Sequence, residues 1–415
     1  MAKVRPFRGL RPQKELADKV AAPPYDVLSS DEAREMAKGN PYSFLHVNKP
    51  EIDLDPKIDP YDKRVYQKGA DNLHKFINQG IMMQDEAPRF YIYKQVMGNH
   101  RQVGLMACAS VDEYEKDLIK KHELTRQDKE DDRVNHMDYL NAQVGPVFLT
   151  YRAVPEIDRM VETIMKAGPE YDFISPDGVR HILWVIENEK TIAAFQEAFG
   201  KVPALYVADG HHRSAAATRV KQRRQAGNAH HTGEEEYNYF LSVIFPHNQM
   251  QILDYNRVVK DLNGLSPDAF LKKISEKFTL TRMEDNQPYK PLRAHEFGMY
   301  LKGHWYQLIA KPGSFDEKDP VKRLDVSLLQ ENLLSPILGI LDPRKDKRID
   351  FIGGIRGLKE LEKRVKSGDW AAAFAFYPTS IEDLMAIADA GKIMPPKSTW
   401  FEPKLKSGLV VHLLD

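Results

Sequence analysis

The stretch Tyr206-Val207-Ala208-Asp209-Gly210-His211-His212-Arg213-Ser214-Ala215-Ala216-Ala217 decides the fold that we expect for this chain. A short apolar run ends at Asp209, Gly210 follows, and a run of small residues typical of a helix begins directly after it. The pattern therefore predicts a strand, a tight turn and a helix in succession.

The residues of this turn have the chemistry of a phosphate site. A helix start presents unpaired backbone N–H groups and the positive end of the helix dipole, and both attract phosphate. Gly210 permits a close backbone approach, and Arg213 can bind two phosphate oxygens at once. His211 and His212 can donate hydrogen bonds or move protons. From the residues alone, a histidine pair that only packs at a helix start is an equal alternative.

The turn resembles a known signature. Asp-Gly-His-His-Arg followed by small helical residues is similar to the turn of the ParB/sulfiredoxin-like fold, which includes the nucleotide-binding domain of ParB partition proteins, sulfiredoxin and the free serine kinases. The whole chain resembles a bacterial family labelled ParB/SpoOJ-like. The resemblance implies an α/β fold, with α+β as the variant, and a ParB/sulfiredoxin-like core. We expect a nucleotide-binding core with an N-terminal extension over 1–262, and a C-terminal α/β subdomain packed on it over 263–415.

Composition restricts the class of protein. Of the 415 residues, 42% are apolar and 29% are charged, which is ordinary for a soluble globular protein. Lys plus Arg and Asp plus Glu number 60 each, so the broad basic field of a general DNA-binding protein is missing, which argues against a nucleic-acid partner. The single cysteine, Cys108, allows no internal disulfide, and we expect it to be buried and inert. No run approaches the roughly 20 apolar residues of a spanning helix, and the start lacks an apolar signal core. We expect a cytoplasmic protein without a membrane association.

Further runs predict alternating strands and helices, which indicates a mixed α/β core. The runs read as strands are 89–96 and 101–111, which form a hairpin, and 145–151, 180–187 and 237–245. Those read as helices are 155–167 and 191–199. We also expect a strand over 40–50 and a hairpin between 237–245 and 252–259.

Two segments before the turn supply candidate site residues. Pro23 and Pro24 forbid a helix and hold an extended path that delivers Tyr25 and Asp26 to a fixed place. The second segment, 120–133, is polar and charge-dense, and the order His-Glu-x-Thr at 122–125 resembles the family's pattern. A carboxylate near a phosphate site can deprotonate a substrate hydroxyl, and Glu123 is the candidate. An ordinary solvated loop is the alternative for this segment.

Two segments after the turn add candidates. The run 254–259 resembles the family's pattern and contributes Asn256 and Arg257. The stretch 394–404 combines prolines with lysines, hydroxyls and aromatic residues, so we expect it to be docked rather than frayed and able to contact an anionic ligand.

By analogy with the free serine kinases, the resemblance implies a nucleotide-dependent enzyme that phosphorylates the hydroxyl of a small metabolite, with free L-serine as the preferred acceptor. ATP or ADP is the expected donor and Mg²⁺ the inferred ion. The catalytic candidates are Glu123, Asp209, His211 and His212. The phosphate-binding candidates are Gly210, His211, His212, Arg213, Ser214 and Arg133. The substrate-binding candidates are Tyr25, Asp26, His122, Asn256, Arg257, Lys397, Ser398 and Thr399.

The alternative function is a nucleotide-binding or nucleotide-hydrolysing switch of the ParB kind, or a partner-binding protein. The sequence leaves this choice open because a fold does not determine chemistry. It contains no zinc spacing of Cys and His, and it leaves the metal ligands and the oligomeric state open.

Overall fold

The computed structural model describes residues 2–284 and 287–415. The chain forms two compact units. The first contains Met1–Met250 and Pro403–Asp415, and the second contains Gln251–Glu402. The last residues belong to the first unit because they pair with its N-terminal part, as in the backbone bridge between Leu10 and Val411. The predicted boundary at 262/263 between a nucleotide-binding core and a C-terminal subdomain stays a prediction.

The described residues are rich in both helices and strands, and the predicted mixed α/β class is confirmed. The helices are α1 (Ala17–Val20), α2 (Ser30–Ala37), α3 (Leu45–Asn48), α4 (Lys63–Asn78), α5 (Val111–Glu115), α6 (Gln127–Leu140), α7 (Pro155–Ile164), α8 (Glu189–Gly200), α9 (His211–Gly227), α10 (Pro267–Ile274), α11 (Asp325–Leu329), α12 (Leu358–Lys366) and α13 (Ile381–Asp389). None of the described helices has both the length and the apolar character that a membrane crossing requires.

The strands are β1 (Val4–Arg5), β2 (Leu10–Pro12), β3 (Met82–Gln84), β4 (Phe90–Met97), β5 (His100–Ser110), β6 (Ile119–Lys120), β7 (Ala142–Gln143), β8 (Val147–Tyr151), β9 (Tyr171–Ile174), β10 (Arg180–Ile186), β11 (Leu205–Asp209), β12 (Tyr239–Pro246), β13 (Ile252–Leu253), β14 (Tyr255–Val259), β15 (Phe278–Arg282), β16 (Glu296–Leu301), β17 (His304–Ala310), β18 (Ile349–Gly353), β19 (Ala372–Phe376), β20 (Trp400–Phe401) and β21 (His412–Leu413).

The first unit is built on a mixed sheet. Its strands run in the order β6-β11-β8-β12-β5-β4-β10-β9, and β1 pairs with β5. β11 pairs parallel to β6 and antiparallel to β8, so the strand that leads into the turn is held on both sides. Its apolar residues Leu205 and Val207 are fully buried, and the helix after it buries Ala216, Ala217 and Val220 in the same core. The burial of these apolar residues therefore holds both the strand before the turn and the helix after it in place.

Most local predictions for this unit are confirmed, including the hairpin of β4 and β5 and the buried Cys108, whose thiol pKa is raised by burial. The strand expected over 40–50 is wrong. Leu45–Asn48 form a short helix, in which the amide of Asn48 donates to the carbonyl of Phe44. Phe44, Leu45 and Val47 are all buried, so an alternating pattern over four residues did not separate a strand from one helical turn.

The second unit is built on a sheet in the order β15-β17-β16-β19-β14-β18. The hairpin expected between 237–245 and 252–259 is wrong, because β14 pairs with β18 and β19. Both partners lie far along the chain, and local turn signals do not report such pairing. α12 covers Leu358–Lys366, and the side chain of Ser380 caps α13 by accepting from the amide of Asp383.

Asp325 in the second unit should make stability fall as pH rises. Its Oδ1 accepts from the His295 amide at 2.8 Å, and Oδ2 has no hydrogen-bond partner among the described residues. Burial, assisted by Asp383, raises the pKa of Asp325 to about 7. An unfolded aspartate titrates near pH 4, so between about pH 4 and 7 the folded state holds a proton that the unfolded state has lost. The contribution of this group to stability is therefore present below about pH 4 and is lost as the pH rises through about 7.

We expect Asp325→Asn to remove this loss. The variant should melt above the wild type at pH 7.5 and match it near pH 4.5, a gain on the order of 1–3 kcal/mol at about 1.4 kcal/mol per pKa unit. Thermal midpoints across this pH range measure it. Asp316→Asn, an exposed carboxylate of the same unit, is the control and should follow the wild type. Parallel curves for wild type and Asp325→Asn would contradict the assignment.

Candidate functional site

The turn has the predicted strand–turn–helix form. β11 ends at Asp209, and Gly210 adopts a left-handed conformation with φ 99° and ψ 28°. Such a φ favours glycine because a Cβ crowds the neighbouring carbonyl there. The Gly210 carbonyl accepts from the amides of Arg213 at 2.9 Å and Ser214 at 3.1 Å. Among the described residues no side chain caps α9, so the first turn of this 17-residue helix lacks the usual capping oxygen.

Asp209 is held by a lysine from the C-terminal segment of the first unit. The Nζ of Lys404 donates to Asp209 Oδ2 at 3.0 Å. Burial opposes ionisation of Asp209, but the charges of Lys404 and Arg213 outweigh burial and lower its pKa. Asp209 is therefore ionised at neutral pH and suited to hold cationic groups. A carboxylate with a lowered pKa is a weak base, which disfavours Asp209 as the group that removes a proton.

Arg213 folds back over its own turn. The position of a Cβ on Gly210 would lie 3.2 Å from Arg213 Nε, and the arginine side chain is only 6% exposed. Nη1 donates to the Pro146 carbonyl, and Nη2 lies 3.9 Å from Asp26 Oδ2. Nε has no hydrogen-bond partner among the described residues. The structure thus brings together Asp26 and Arg213, two candidates from distant parts of the sequence.

His211, His122 and Glu123 form a cluster beside the turn. The His211 and His122 side chains are buried, with exposures of 4% and 2%, and their rings meet edge to face at 4.4 Å between centroids. His211 Nδ1 lies 3.8 Å from Glu123 Oε2. Burial lowers the pKa of His122 to about 4, and burial together with the neighbouring His122 lowers the pKa of His211 well below its usual value. Both imidazoles are therefore neutral at physiological pH.

The two other residues at the start of α9 have local roles. His212 Nε2 accepts from the amide of Arg126 at 3.1 Å, which links the start of α9 to the residue before α6. Ser214 is fully buried, and its hydroxyl donates to the His211 carbonyl at 3.1 Å. Their assignment to phosphate binding stays a prediction.

Arg133 and Tyr25 stack on each other. The Cζ of Arg133 lies 3.6 Å from the centroid of the Tyr25 ring, and Nη2 lies 2.7 Å from Asp132 Oδ2. Asp132 Oδ1 also accepts from the Tyr66 hydroxyl at 3.0 Å. Burial raises the pKa of Tyr25 to about 12, although the charge of Arg133 opposes this shift. Pro24 is extended as predicted, but Tyr25–Val27 form a short 3-10 helix, so the predicted extended path ends before Tyr25. Tyr25 and Asp26 lie beside the buried Arg133 and Arg213.

The other candidates lie in the second unit. Asn256 is fully buried, and its Oδ1 accepts from the Phe376 amide at 3.0 Å. Arg257 is buried between the rings of Phe351 and Phe376, at 4.9 and 4.8 Å from their centroids, and burial lowers its pKa to about 9. Its Nη2 donates to the Lys397 carbonyl at 2.9 Å.

The segment with Lys397, Ser398 and Thr399 is docked rather than frayed. Ser398 is buried, and its hydroxyl donates to the Pro395 carbonyl at 2.6 Å. The Nζ of Lys397 lies 5.5 Å from the centroid of the Tyr255 ring. These contacts lie within the second unit, and the substrate-binding role of the segment stays a prediction.

Sequence reasoning missed several partners of the site residues. The sequence places Lys404 only within the segment 394–404, and no pattern in it indicates that Lys404 contacts Asp209 or that the carbonyl of Pro146 contacts Arg213. The ligand-like grouping of His122, Glu123 and His211 was not recognised, although each was named. Sequence spacing reports metal ligands only when they lie a few residues apart, and His211 is far from the other two.

The fold and the site together define a mixed α/β protein with ionisable groups gathered at a strand–turn–helix. Residues 4–327 match the family described as "Protein of unknown function (DUF1015)". The chain belongs to this family. None of the curated proteins compared with it matches.

Three solved structures illustrate the structural likeness. Free serine kinase in complex with AMP is 13% identical, with a TM-score of 0.35, over 72% of this chain and 86% of that one. SbnI with a C-terminal truncation, from Staphylococcus aureus, is 10% identical, with a TM-score of 0.36, over 72% and 84%. A conserved hypothetical protein from Pyrococcus furiosus is 13% identical, with a TM-score of 0.34, over 72% and 90%. Likeness at this level supports no inference about activity.

Proposed function

We propose that this protein is a phosphotransferase that moves a phosphoryl group from ATP or ADP to the hydroxyl of a small metabolite, with free L-serine as the preferred acceptor. One observation carries the proposal. The uncapped start of α9 lies beside a buried guanidinium and a carboxylate–imidazole cluster, all within the first unit. Phosphoryl transfer calls for this combination of anion-binding amides, fixed positive charge and a nearby base.

The phosphates have a defined place in the proposal. They lie against the turn at Gly210 and the first residues of α9, where the helix dipole favours negative charge. Arg213 offers Nε, which has no hydrogen-bond partner among the described residues. Arg133, stacked on Tyr25 and paired with Asp132, adds a second fixed guanidinium. Because both arginines are already packed in place, little side-chain entropy is lost when an anion binds.

The transfer step uses Glu123. The acceptor hydroxyl gives its proton to the Glu123 carboxylate while its oxygen forms a bond to the terminal phosphorus. The bond between that phosphorus and the bridging oxygen breaks, and the shortened nucleotide leaves with the electron pair. Glu123 suits the role better than Asp209, whose pKa is lowered and whose Oδ2 accepts from Lys404. Neutral His211 lies beside Glu123 and can orient the carboxylate.

Magnesium fits the donors beside the turn. This ion is held by one or two carboxylates together with substrate phosphates, and Asp209 and Glu123 are carboxylates in this region. Bound there, Mg²⁺ would neutralise phosphate charge. Both residues lie in the first unit.

The proposal is tested by product formation. The protein is incubated with ATP, ADP or CTP, Mg²⁺ and L-serine, L-threonine or homoserine, and the products are identified by mass. We expect a phosphorylated acceptor with ATP or ADP. Arg213→Ala should abolish it, because the variant removes a fixed charge beside the bound phosphates. Arg223→Ala is the matched control, because it removes an exposed guanidinium from the same helix and should keep the activity.

The other outcomes are equally informative. Arg213→Lys retains a positive charge at the site. The thermal midpoints of Arg213→Ala and Arg213→Lys show whether a loss of activity is a loss of folding. Hydrolysis of a nucleotide without a phosphorylated acceptor would favour the switch of the ParB kind. Indifference of the folded wild type to every nucleotide tried would overturn the proposal.

A further inference from the structure

Three donors of the first unit lie close enough together to hold one metal ion. One ligand atom from each of His122, Glu123 and His211 lies within 4.8 Å of the other two. Nδ1 of His211 and Oε2 of Glu123 are 3.8 Å apart. Ligand atoms about 2.1 Å from a tetrahedral metal lie roughly 3.4 Å from one another. Small side-chain rotations therefore close the set around an ion.

His122 presents a lone pair to this cluster. Nδ1 of this buried ring has no hydrogen-bond partner among the described residues, and the ring hydrogen-bonds with the Val207 backbone. A backbone carbonyl on the other ring nitrogen is the usual support of a metal-binding imidazole.

His211 is also incompletely satisfied. Its Nε2 is buried and has no hydrogen-bond partner in the described part of the chain. His181, another buried histidine of the first unit, offers the contrast. Its Nδ1 hydrogen-bonds with the Tyr93 hydroxyl at 2.6 Å and its Nε2 with the Ser175 hydroxyl at 2.9 Å. Buried polar atoms are normally paired, so the unpaired Nδ1 of His122 points to a ligand, and Nδ1 of His211 is the ring nitrogen that lies toward Glu123.

The cluster includes one carboxylate, that of Glu123. The donor chemistry then selects the kind of ion. Two imidazole nitrogens and one carboxylate suit zinc and neighbouring first-row transition metals, whereas Mg²⁺ and Ca²⁺ prefer oxygen donors.

We propose that His122, Glu123 and His211 form a binding site for a transition-metal dication of the Zn²⁺ class. Three protein ligands leave a coordination position open, which is the arrangement of catalytic rather than structural zinc sites. The inference goes beyond the proposed phosphotransferase and stands without it, because it depends only on donor identity, geometry and burial. Where both hold, Glu123 can bind the ion through one oxygen and keep the other for the acceptor.

The test is metal binding without nucleotide. The untagged full-length protein is stripped with a chelator, dialysed, and titrated with Zn²⁺ by calorimetry and with Co²⁺ by visible absorption. We expect one saturable ion per chain and a Co²⁺ spectrum of nitrogen and oxygen ligation that millimolar Mg²⁺ does not displace. His122→Ala and His211→Ala should each weaken binding at least about 100-fold, more than the loss of a supporting hydrogen bond causes.

The controls keep the inference falsifiable. His181→Ala removes a buried imidazole whose nitrogens are both paired, and His230→Ala removes an exposed one, so both should bind the ion as the wild type does. Glu123→Ala covers the case in which a buried-histidine variant fails to fold, because the Glu123 side chain is 37% exposed. Wild type without saturable binding, or binding unchanged in Glu123→Ala, overturns the site. Neither result depends on whether a phosphorylated product forms.

Discussion

Glu123→Gln should lower the rate of acceptor phosphorylation by about 10²- to 10⁴-fold, the usual contribution of a positioned general base. Glutamine keeps the shape of the side chain but cannot take the hydroxyl proton. Nucleotide affinity should change little, because the phosphates are held by the start of α9 and by Arg213 and Arg133. Single-turnover product formation measures the rate, and nucleotide titration by calorimetry measures the affinity. Glu156→Gln, an exposed glutamate of the first unit, is the matched control.

Metal addition separates the two roles of Glu123. If the carboxylate acted only as a metal ligand, excess Zn²⁺ or Co²⁺ would refill the weakened site and restore the rate of Glu123→Gln. If it removes the proton, saturating metal leaves the rate low. An unchanged rate in Glu123→Gln without added metal would exclude both roles and leave the carboxylate a surface group near His211.

Local patterns in the sequence predicted the local structure well. The turn at Asp209–Gly210 could be read because a strand of buried residues, a glycine and a small-residue helix each leave their own signal within a few residues. The prediction of a strand over 40–50 was wrong because Leu45–Asn48 make only one helical turn. Over so short a length, a helix and a strand give the same pattern of buried residues.

Contacts between distant segments could not be predicted. The pairing of β14 with β18 and β19 depends on residues that follow much later in the chain. The same limit applies to the site. Asp209 and Arg213 were predicted from the turn, but the approach of Lys404 to Asp209 and of Asp26 to Arg213 follows from tertiary packing alone. The chemistry of Asp209 and Arg213 could be predicted from the sequence, whereas the residues that they contact are determined by the fold.

Gly210→Ala should reduce nucleotide affinity at least about tenfold, the effect of losing one charge-assisted contact of roughly 1.5 kcal/mol or more. The added Cβ meets Arg213 Cζ and Nε at 3.2 Å, so the guanidinium must shift from its place over the turn. The φ of 99° adds a backbone penalty of roughly 1–2 kcal/mol, so the thermal midpoint should fall as well. Calorimetric titration with ATP and ADP measures the affinity, and thermal melting measures the stability.

Gly178→Ala separates the two effects. Gly178 has a φ of 80°, so alanine there meets a comparable backbone penalty, but a Cβ at this position would find no atom within 4 Å among the described residues. This control should therefore lose stability and keep nucleotide affinity. If both variants lose affinity equally, general destabilisation explains the effect and Arg213 has no part in it. If Gly210→Ala alone loses affinity, the guanidinium must occupy its observed place over the turn for the phosphates to bind.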